Sequence, residues 1–591
     1  MCLMSDFVIN GSELVSYCGS DTLVSVPEGV GCIGEEAFFG ASFIQRIELP
    51  KSIKRIGKRA FWGCAALESI TLPCGLTAIE DNAFRECGAL KEIVLPDGMT
   101  EIGEAVFRGC GQLERVYIPD SLSKLGISTF SDCFGLKEIR LSAFMQIVPA
   151  RCFQWCVSLE EMQIPCDVRE IDNEAFLGCL ALKRVVLHEG LEVLGNKCFC
   201  ECKKLTELEV PKSVKHIGAD AFYKSGMIGE CREEFLVLAD ILVKYTGSGE
   251  KVSVAQGVRT VGDYAFAYRD ELKEIQLPQS VTGIGDYAFE RCSSLEAVML
   301  PDGLESIGKG AFAECEKLAE ITLPDSIERI GSGAFEQSGA VFETKDELTC
   351  AQGKYLLSFT GNTDRLTIPD GVLVIADEAF IRCRVSEAVL PEGLKTIGEN
   401  AFRWRSELKK ANLPSSVKHI GANAFANCID AQISADQPCA DLGENAFPSG
   451  TRLLMNVNGK QIDAALEGRI RSGDCDEKRL WRFACEPSEE TFEAIGNERY
   501  KLACAIAFYG CGAVYGSYLK ENITQAVCFA AGRDTAELER VLSFGLLGLE
   551  QLRECIDFTL RSKLPQQQVI LMRYRGEHFG ADEQAAKRFE L

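Results

Sequence analysis

Histidine is scarce in this chain, four in 591 residues, and that scarcity starves acid–base and metal chemistry of its commonest side chain. No stretch approaches the roughly 18 consecutive apolar residues of a membrane-spanning helix, so no membrane insertion is expected. The opening Met1-Cys2-Leu3-Met4-Ser5-Asp6 lacks a basic stretch followed by an apolar one. Cytoplasmic residence is the expectation, replaced by the cell surface or secretion if a signal peptide has been removed. Positive charge is also short: the formal net charge is −24, with no local basic stripe, which argues against nucleic acid as a partner. Neither a phosphate loop nor a nucleophile elbow occurs. Catalysis, cofactors and metal are therefore not expected.

What the chain has instead is a beat. Phenylalanine recurs every 23 residues at Phe38, Phe61, Phe84, Phe107, Phe130, Phe153, Phe176, Phe199 and Phe222, then at Phe266, Phe289, Phe312 and Phe335, and less regularly at Phe380, Phe402, Phe425 and Phe447. A fixed period in the twenties marks a solenoid, because one coil cannot bury its apolar face alone and must stack on the next. Such a fold offers a long surface rather than a pocket.

Eleven of the 28 cysteines follow the same beat. Cys64, Cys87, Cys110, Cys133, Cys156, Cys179, Cys202, Cys292, Cys315, Cys383 and Cys428 each fall three residues after a phenylalanine, and Ala41, Ser225 and Ser338 take that slot in other coils. Equivalent residues on adjacent coils lie about 4.8 Å apart, and a buried slot for a small side chain with a weak donor suits unpaired thiols. A ladder of reduced cysteines is expected, hence a reducing compartment. The cluster Cys198-Phe-Cys-Glu-Cys202 is absorbed likewise, leaving only Cys200 outside a slot and no second pair at zinc spacing. His216 and His419 also belong to the repeat, in the shared phrase Val-Lys-His-Ile-Gly, while His188 and His578 have no evident partner.

One coil shows the grammar. In Leu67-Glu-Ser-Ile-Thr-Leu-Pro73 the apolar residues face one side of a short strand that the proline ends. Leu76 and Ile79 return to the core, and the glycine that usually follows, as at Gly57, Gly103 and Gly126, reads as a tight bend. The pattern Leu-x-x-Ile-x-Leu-Pro-x-x-Leu-x-x-Ile-Gly-x-x-Ala-Phe-x-x-Cys resembles the BspA-like leucine-rich repeat family over roughly residues 6 to 450. The resemblance implies a right-handed superhelix with a parallel β-sheet on one face, a protein-binding role, and frequent occurrence on bacterial surfaces as adhesins.

The irregular segments are themselves related. Asp6–Phe38, Glu234–Phe266 and Leu348–Phe380 are each 33 residues long, with Leu14, Leu242 and Leu356, the aromatics Tyr17, Tyr245 and Phe359, and Gly19, Gly247 and Gly361 in register. Alternation, a glycine-containing turn and renewed alternation, as in Leu242–Val254, predict a hairpin. The solenoid, residues 1–452, thus divides into blocks 6–228, 229–341 and 342–452, each opened by a hairpin module.

On the strands, residues pointing outward would meet a partner. Seven residues after the phenylalanine the series Glu68, Lys91, Glu114, Lys137, Glu160, Lys183 alternates in sign, a pattern that supports coil register. Three positions further on come Glu48, Thr71, Val94, Tyr117, Arg140, Gln163, Val186 and Glu209. Val94 beside Tyr117, flanked by Arg115 and Arg140, is the candidate partner-binding patch, tyrosine and arginine being enriched at interface hot spots.

After Gly459 the pattern turns helical, with helices expected at 478–484, 491–508, 524–531, 535–544, 549–561 and 566–573. An α-helical C-terminal domain over 460–591 follows, weakly ankyrin-like over 536–574, serving as a cap for the last coil or as a second binding module. The whole reads as a non-catalytic scaffold for a protein partner of unknown identity; the alternative is an exported adhesin for host or bacterial glycoproteins.

Overall fold

The computed structural model describes residues 2–4, 6–229, 233–428, 430–435, 439, 441–466, 475–509, 511 and 513–579; residues 580–591, the end of the expected helical domain, lie outside the described residues. The chain separates into two compact units, one of residues 1–327 and 333–340, the other of 328–332 and 341–591. The division thus falls inside the repeats, at the end of the second block, and the third block shares a unit with the helices.

Most coils contribute two strands, where a sheet on one face was expected. A three-residue strand such as Ser69–Thr71 pairs in parallel with Arg46–Glu48 at the 23-residue spacing, buried only at its middle residue. A two-residue strand such as Ala78–Ile79 forms a second parallel ladder. Between them the proline ends the first strand and its carbonyl accepts from the residue three on, as Pro73 does from the Leu76 N–H at 3.0 Å. The glycine after Ile56 is not required by a left-handed conformation but by close packing. A Cβ at Gly57 would lie 2.9 Å from the backbone of Ile33, Gly34 and Glu35 in the preceding coil, so the slot is small because two backbones run against each other there.

The phenylalanines stack into a column. From Phe38 to Phe222 successive ring centroids are 4.9–5.8 Å apart with interplanar angles of 1–18°, and a second run joins Phe266 to Phe335. The adjacent cysteines are all free thiols, and their role is more specific than filling space. Cys64 Sγ donates to the Phe38 carbonyl at 3.3 Å, Cys87 to Phe61 and Cys110 to Phe84 at 3.2 Å, and ten of the eleven slots repeat this reach to the preceding coil. Cys383 instead bonds Phe380 of its own coil. The Phe61 oxygen already accepts the Cys64 N–H at 3.1 Å, so the thiol of Cys87 occupies its second lone pair. Serine has the donor without the reach: Ser225 Oγ, buried in the same slot, has no partner among the described residues. Burial pushes Cys110 up to about 12 and Cys133 well above the ordinary thiol range. Under native conditions a thiol reagent should therefore label exposed Cys18, Cys74, Cys166 and Cys511 quickly and the ladder only after denaturation; rapid labelling of Cys133 in mass-spectrometric mapping would contradict this.

The three modules each contain an antiparallel pair, but it lies one strand earlier than the alternation suggested. Ile241–Tyr245 pairs with Phe235–Leu238, not with Lys251–Ser253, which joins the other ladder. The turn is Ala239-Asp240, both left-handed, as a two-residue hairpin requires. Phe7–Asn10 with Glu13–Tyr17, and Leu348–Ala351 with Tyr355–Phe359, repeat the arrangement, and all three pairs shift register at the equivalent point. The shared aromatic then opens a column: Tyr17 lies 5.4 Å from Phe38, Tyr245 5.1 Å from Phe266 and Phe359 6.1 Å from Phe380. The shared glycine clears its ring, since a Cβ at Gly247 would sit 2.6 Å from the Tyr245 hydroxyl.

In the second unit the last coil closes with a strand pair. Residues 460–465, assigned from sequence to the helical domain, form strand Lys460–Ala465 antiparallel to Arg452–Val457. Helices follow at Asp476–Cys485, Glu489–Glu493, Glu498–Ala507, Ala513–Glu521, Ile523–Ala531, Thr535–Leu542, Leu549–Arg561 and Pro565–Phe579. The expected helix 491–508 is two, because Asn497 accepts the N–H groups of Arg499 and Tyr500 and starts a new one. Trp481 of the first helix lies 5.5 Å from Phe447 and adds a final ring to the column Phe380, Phe402, Phe425, Phe447.

Candidate interaction surface

The three-residue strands present their first and third side chains outward. Along the third position, Val94, Tyr117 and Arg140 are register partners on adjacent strands, with Val94 70% and Tyr117 40% exposed. The four residues singled out from sequence are thus together on one face, although Arg140 does more than flank the tyrosine. Its Nη1 donates to the Tyr117 hydroxyl at 2.6 Å, its guanidinium lies 4.8 Å from the ring centroid, and it stands 3.7 Å from Asp120. The ring is held in one orientation by a cation–π and hydrogen-bond clamp. Arg115, two residues before Tyr117 on the same strand, is 3.8 Å from Glu138.

Around this patch the face is laterally paired. Lys91 meets Glu68 at 3.5 Å, Lys137 meets Glu114 at 3.1 Å and Lys183 meets Glu160 at 2.8 Å. These exposed pairs contribute about 1 kcal/mol or less each, so their effect is chiefly on register. Val94 stands out as an uncovered apolar residue. The slot series stops with the first block; continued into the second it reaches Met299, the third residue of strand Ala297–Met299 and 64% exposed, which extending the same series would have found.

A separate cavity of about 600 Å³ lies in the second unit, walled by Leu502, Phe529 and Phe558 with Arg452, Arg499 and Arg533 at its edge. Arg452 and Arg533 share Asp463, at 2.6 and 2.9 Å. Burial lowers Arg533 from its usual value, opposed by Asp463. No spacing in the chain marks this cavity, because its walls come from helices and strands far apart in sequence. Among the described residues, no group of three or more His, Cys, Asp or Glu could hold a metal ion, and no helix is long and apolar enough to cross a membrane.

Two stacked ladders, a buried aromatic column and an outward three-residue strand per coil define a leucine-rich repeat solenoid. The family description "BspA type Leucine rich repeat region (6 copies)" matches residues 11–137, 124–231, 242–345 and 353–457, and the chain belongs to that family. Among solved structures, a leucine-rich cell surface protein from Faecalibacterium prausnitzii is 20% identical over 72% of this chain and 91% of its own, with a TM-score of 0.30. A leucine-rich repeat protein from Bacteroides ovatus is 24% identical over 73% and 94%, TM-score 0.34, and one from T. pallidum is 30% identical over 33% and 82%, TM-score 0.27. No curated protein sequence matches the chain.

Proposed function

We propose that the chain is a non-catalytic protein-binding scaffold that meets its partner through the outward strand face around Val94, Arg115, Tyr117 and Arg140. The supporting observation is the clamped, exposed Tyr117 beside an uncovered Val94, on a face where Lys91, Lys137 and Lys183 are paired with carboxylates across coils. A rigid aromatic and a neighbouring apolar contact are what an interface anchor needs, since little side-chain freedom remains to be lost on binding. The partner supplies an apolar group for Val94 and the Tyr117 ring edge, and an acceptor for the arginines.

The test is affinity capture from lysate and from surface fractions of the source cells, using the intact chain and the Tyr117→Ala/Arg140→Ala variant. Both residues are exposed, so the variant's unfolding free energy should stay within about 0.5 kcal/mol of the parent's. Its capture should fall on the order of tenfold or more, whereas equal capture would eliminate the patch. Capture confined to the surface fraction would favour the adhesin reading over an internal scaffold.

A further inference from the structure

Within the first unit the first block meets the hairpin module of the second at a joint with an unusual fastening. Strand His216–Ile217 ends one ladder, and the next begins where Ile241–Tyr245 pairs with Thr260–Val261. The aromatic column likewise runs to Phe222 and begins again at Tyr245. Across this interval His216 Nε2 stands 3.9 Å from Asp263 Oδ2, and Arg259 donates to the Val214 carbonyl at 3.5 Å. Asp263 is only 8% exposed and accepts the Asp286 N–H at 2.8 Å.

The second unit contains the same device with a different cation. Arg329 occupies the slot of His216, one residue before the Ile-Gly pair, and Asp377 occupies that of Asp263, three residues before the phenylalanine. Arg329 holds Asp377 at 3.0 Å, Asp377 is again 8% exposed, and it again accepts an N–H from the following coil, that of Glu399 at 2.7 Å. An imidazole is a cation only in the acidic part of the physiological range, whereas a guanidinium is one throughout. We propose that the joint at His216 and Asp263 is a pH-responsive hinge, in which an imidazole stands where the second unit fastens a buried carboxyl group with the guanidinium of Arg329.

The surroundings allow the joint to respond. A cavity of about 30 Å³, lined in part by Ile217, Asp220, Val243, Lys244, Asp263 and Tyr264, has room for water beside the carboxyl group. The charged groups around it are His216 from the preceding strand, Lys244 from the hairpin, Asp220 from the intervening loop and Asp286 from the following coil. Lys244 is committed to the Tyr264 carbonyl at 2.9 Å. Burial, the largest influence, raises Asp263 to about 6, with the His216 cation and the Asp286 N–H pulling down and the Asp286 carboxylate pushing up. A carboxyl group whose folded value exceeds its unfolded one favours the closed joint at acid pH, and that contribution is lost as pH rises through about 6.

Hydrogen exchange of the intact chain, corrected for intrinsic exchange rates, tests this at pH 5 and pH 8. Protection of the Gly262 and Asp286 amides, which bond Leu242 and Asp263, should fall on the order of tenfold from pH 5 to 8. Protection of the Gly103 amide within the first block should hold. His216→Arg, which copies the Arg329 fastening, should reduce the change to about twofold or less. Asp263→Asn, which keeps the acceptor for Asp286, should abolish it. Joint protection independent of pH in the parent, or pH dependence surviving in Asp263→Asn, would overturn the proposal.

Discussion

Replacing Phe107 with alanine should destabilise the first unit by about 3–5 kcal/mol, the range for deleting a fully buried aromatic ring. Phe107 is 0% exposed and stacks on Phe84 at 5.5 Å and Phe130 at 5.6 Å, so its loss opens a void between two rings that the backbone ladders prevent from closing. Because each coil touches only its neighbours, stability is a sum of coil and interface contributions. The loss should appear as uncoupling: urea unfolding followed by circular dichroism should broaden or split, and exchange should accelerate in the coils flanking residue 107 before distant ones. A loss below about 1 kcal/mol with one sharp transition would mean that the backbone ladders, not the aromatic column, hold the coils together.

Trp481→Ala should produce a comparable loss, about 3–5 kcal/mol, confined to the second unit. The indole is 3% exposed, covers Phe447 and donates from Nε1 to the Cys439 carbonyl at 2.6 Å. Cys485 Sγ reaches the same oxygen at 3.3 Å, so the carbonyl keeps a partner and the loss is mainly one of packing. With the last coil uncovered, its apolar face becomes available to dye and to other chains. Raised binding of a hydrophobic dye and concentration-dependent aggregation are expected, with Trp481→Phe intermediate. If the alanine variant matched the parent in both stability and dye binding, the helices would not be acting as a cap.

The period of 23 made the coils legible because every slot repeats a physical demand: a ring to stack, a small residue before it, a donor three positions later. The candidate patch was legible for the same reason, since Val94, Tyr117 and Arg140 hold one slot in adjacent coils. The clamp of Arg140 on Tyr117 was not, because a side-chain rotamer leaves no mark on spacing. In the second module the true hairpin strands escaped because Ala239-Asp240 lacks the asparagine–glycine signature of a left-handed turn, while the more visible glycine at 247 makes room for a ring; in the first, the turn at Gly11-Ser12 was passed over for the alternation that follows it. The second ladder escaped because two residues such as Ala78-Ile79 are too short to show alternation. Trp481 closing the column was invisible for want of any periodicity across residues 447–481.

The thiol bond from the ladder cysteines, Cys383 apart, to the phenylalanine of the previous coil has a consequence for how such a protein can change in length. In the regular runs the bond spans 26 residues, one full coil plus the three-residue offset, and each coil presents upward the same free lone pair that it used below. Copying or deleting 23 residues inside a block therefore leaves every surviving coil with a donor for its neighbour's acceptor and a ring for its neighbour's ring. A cut that removes a starter module is different in kind, since Tyr17, Tyr245 and Phe359 each begin a column. Length can drift in units of one coil, while the number of blocks is conserved by their beginnings.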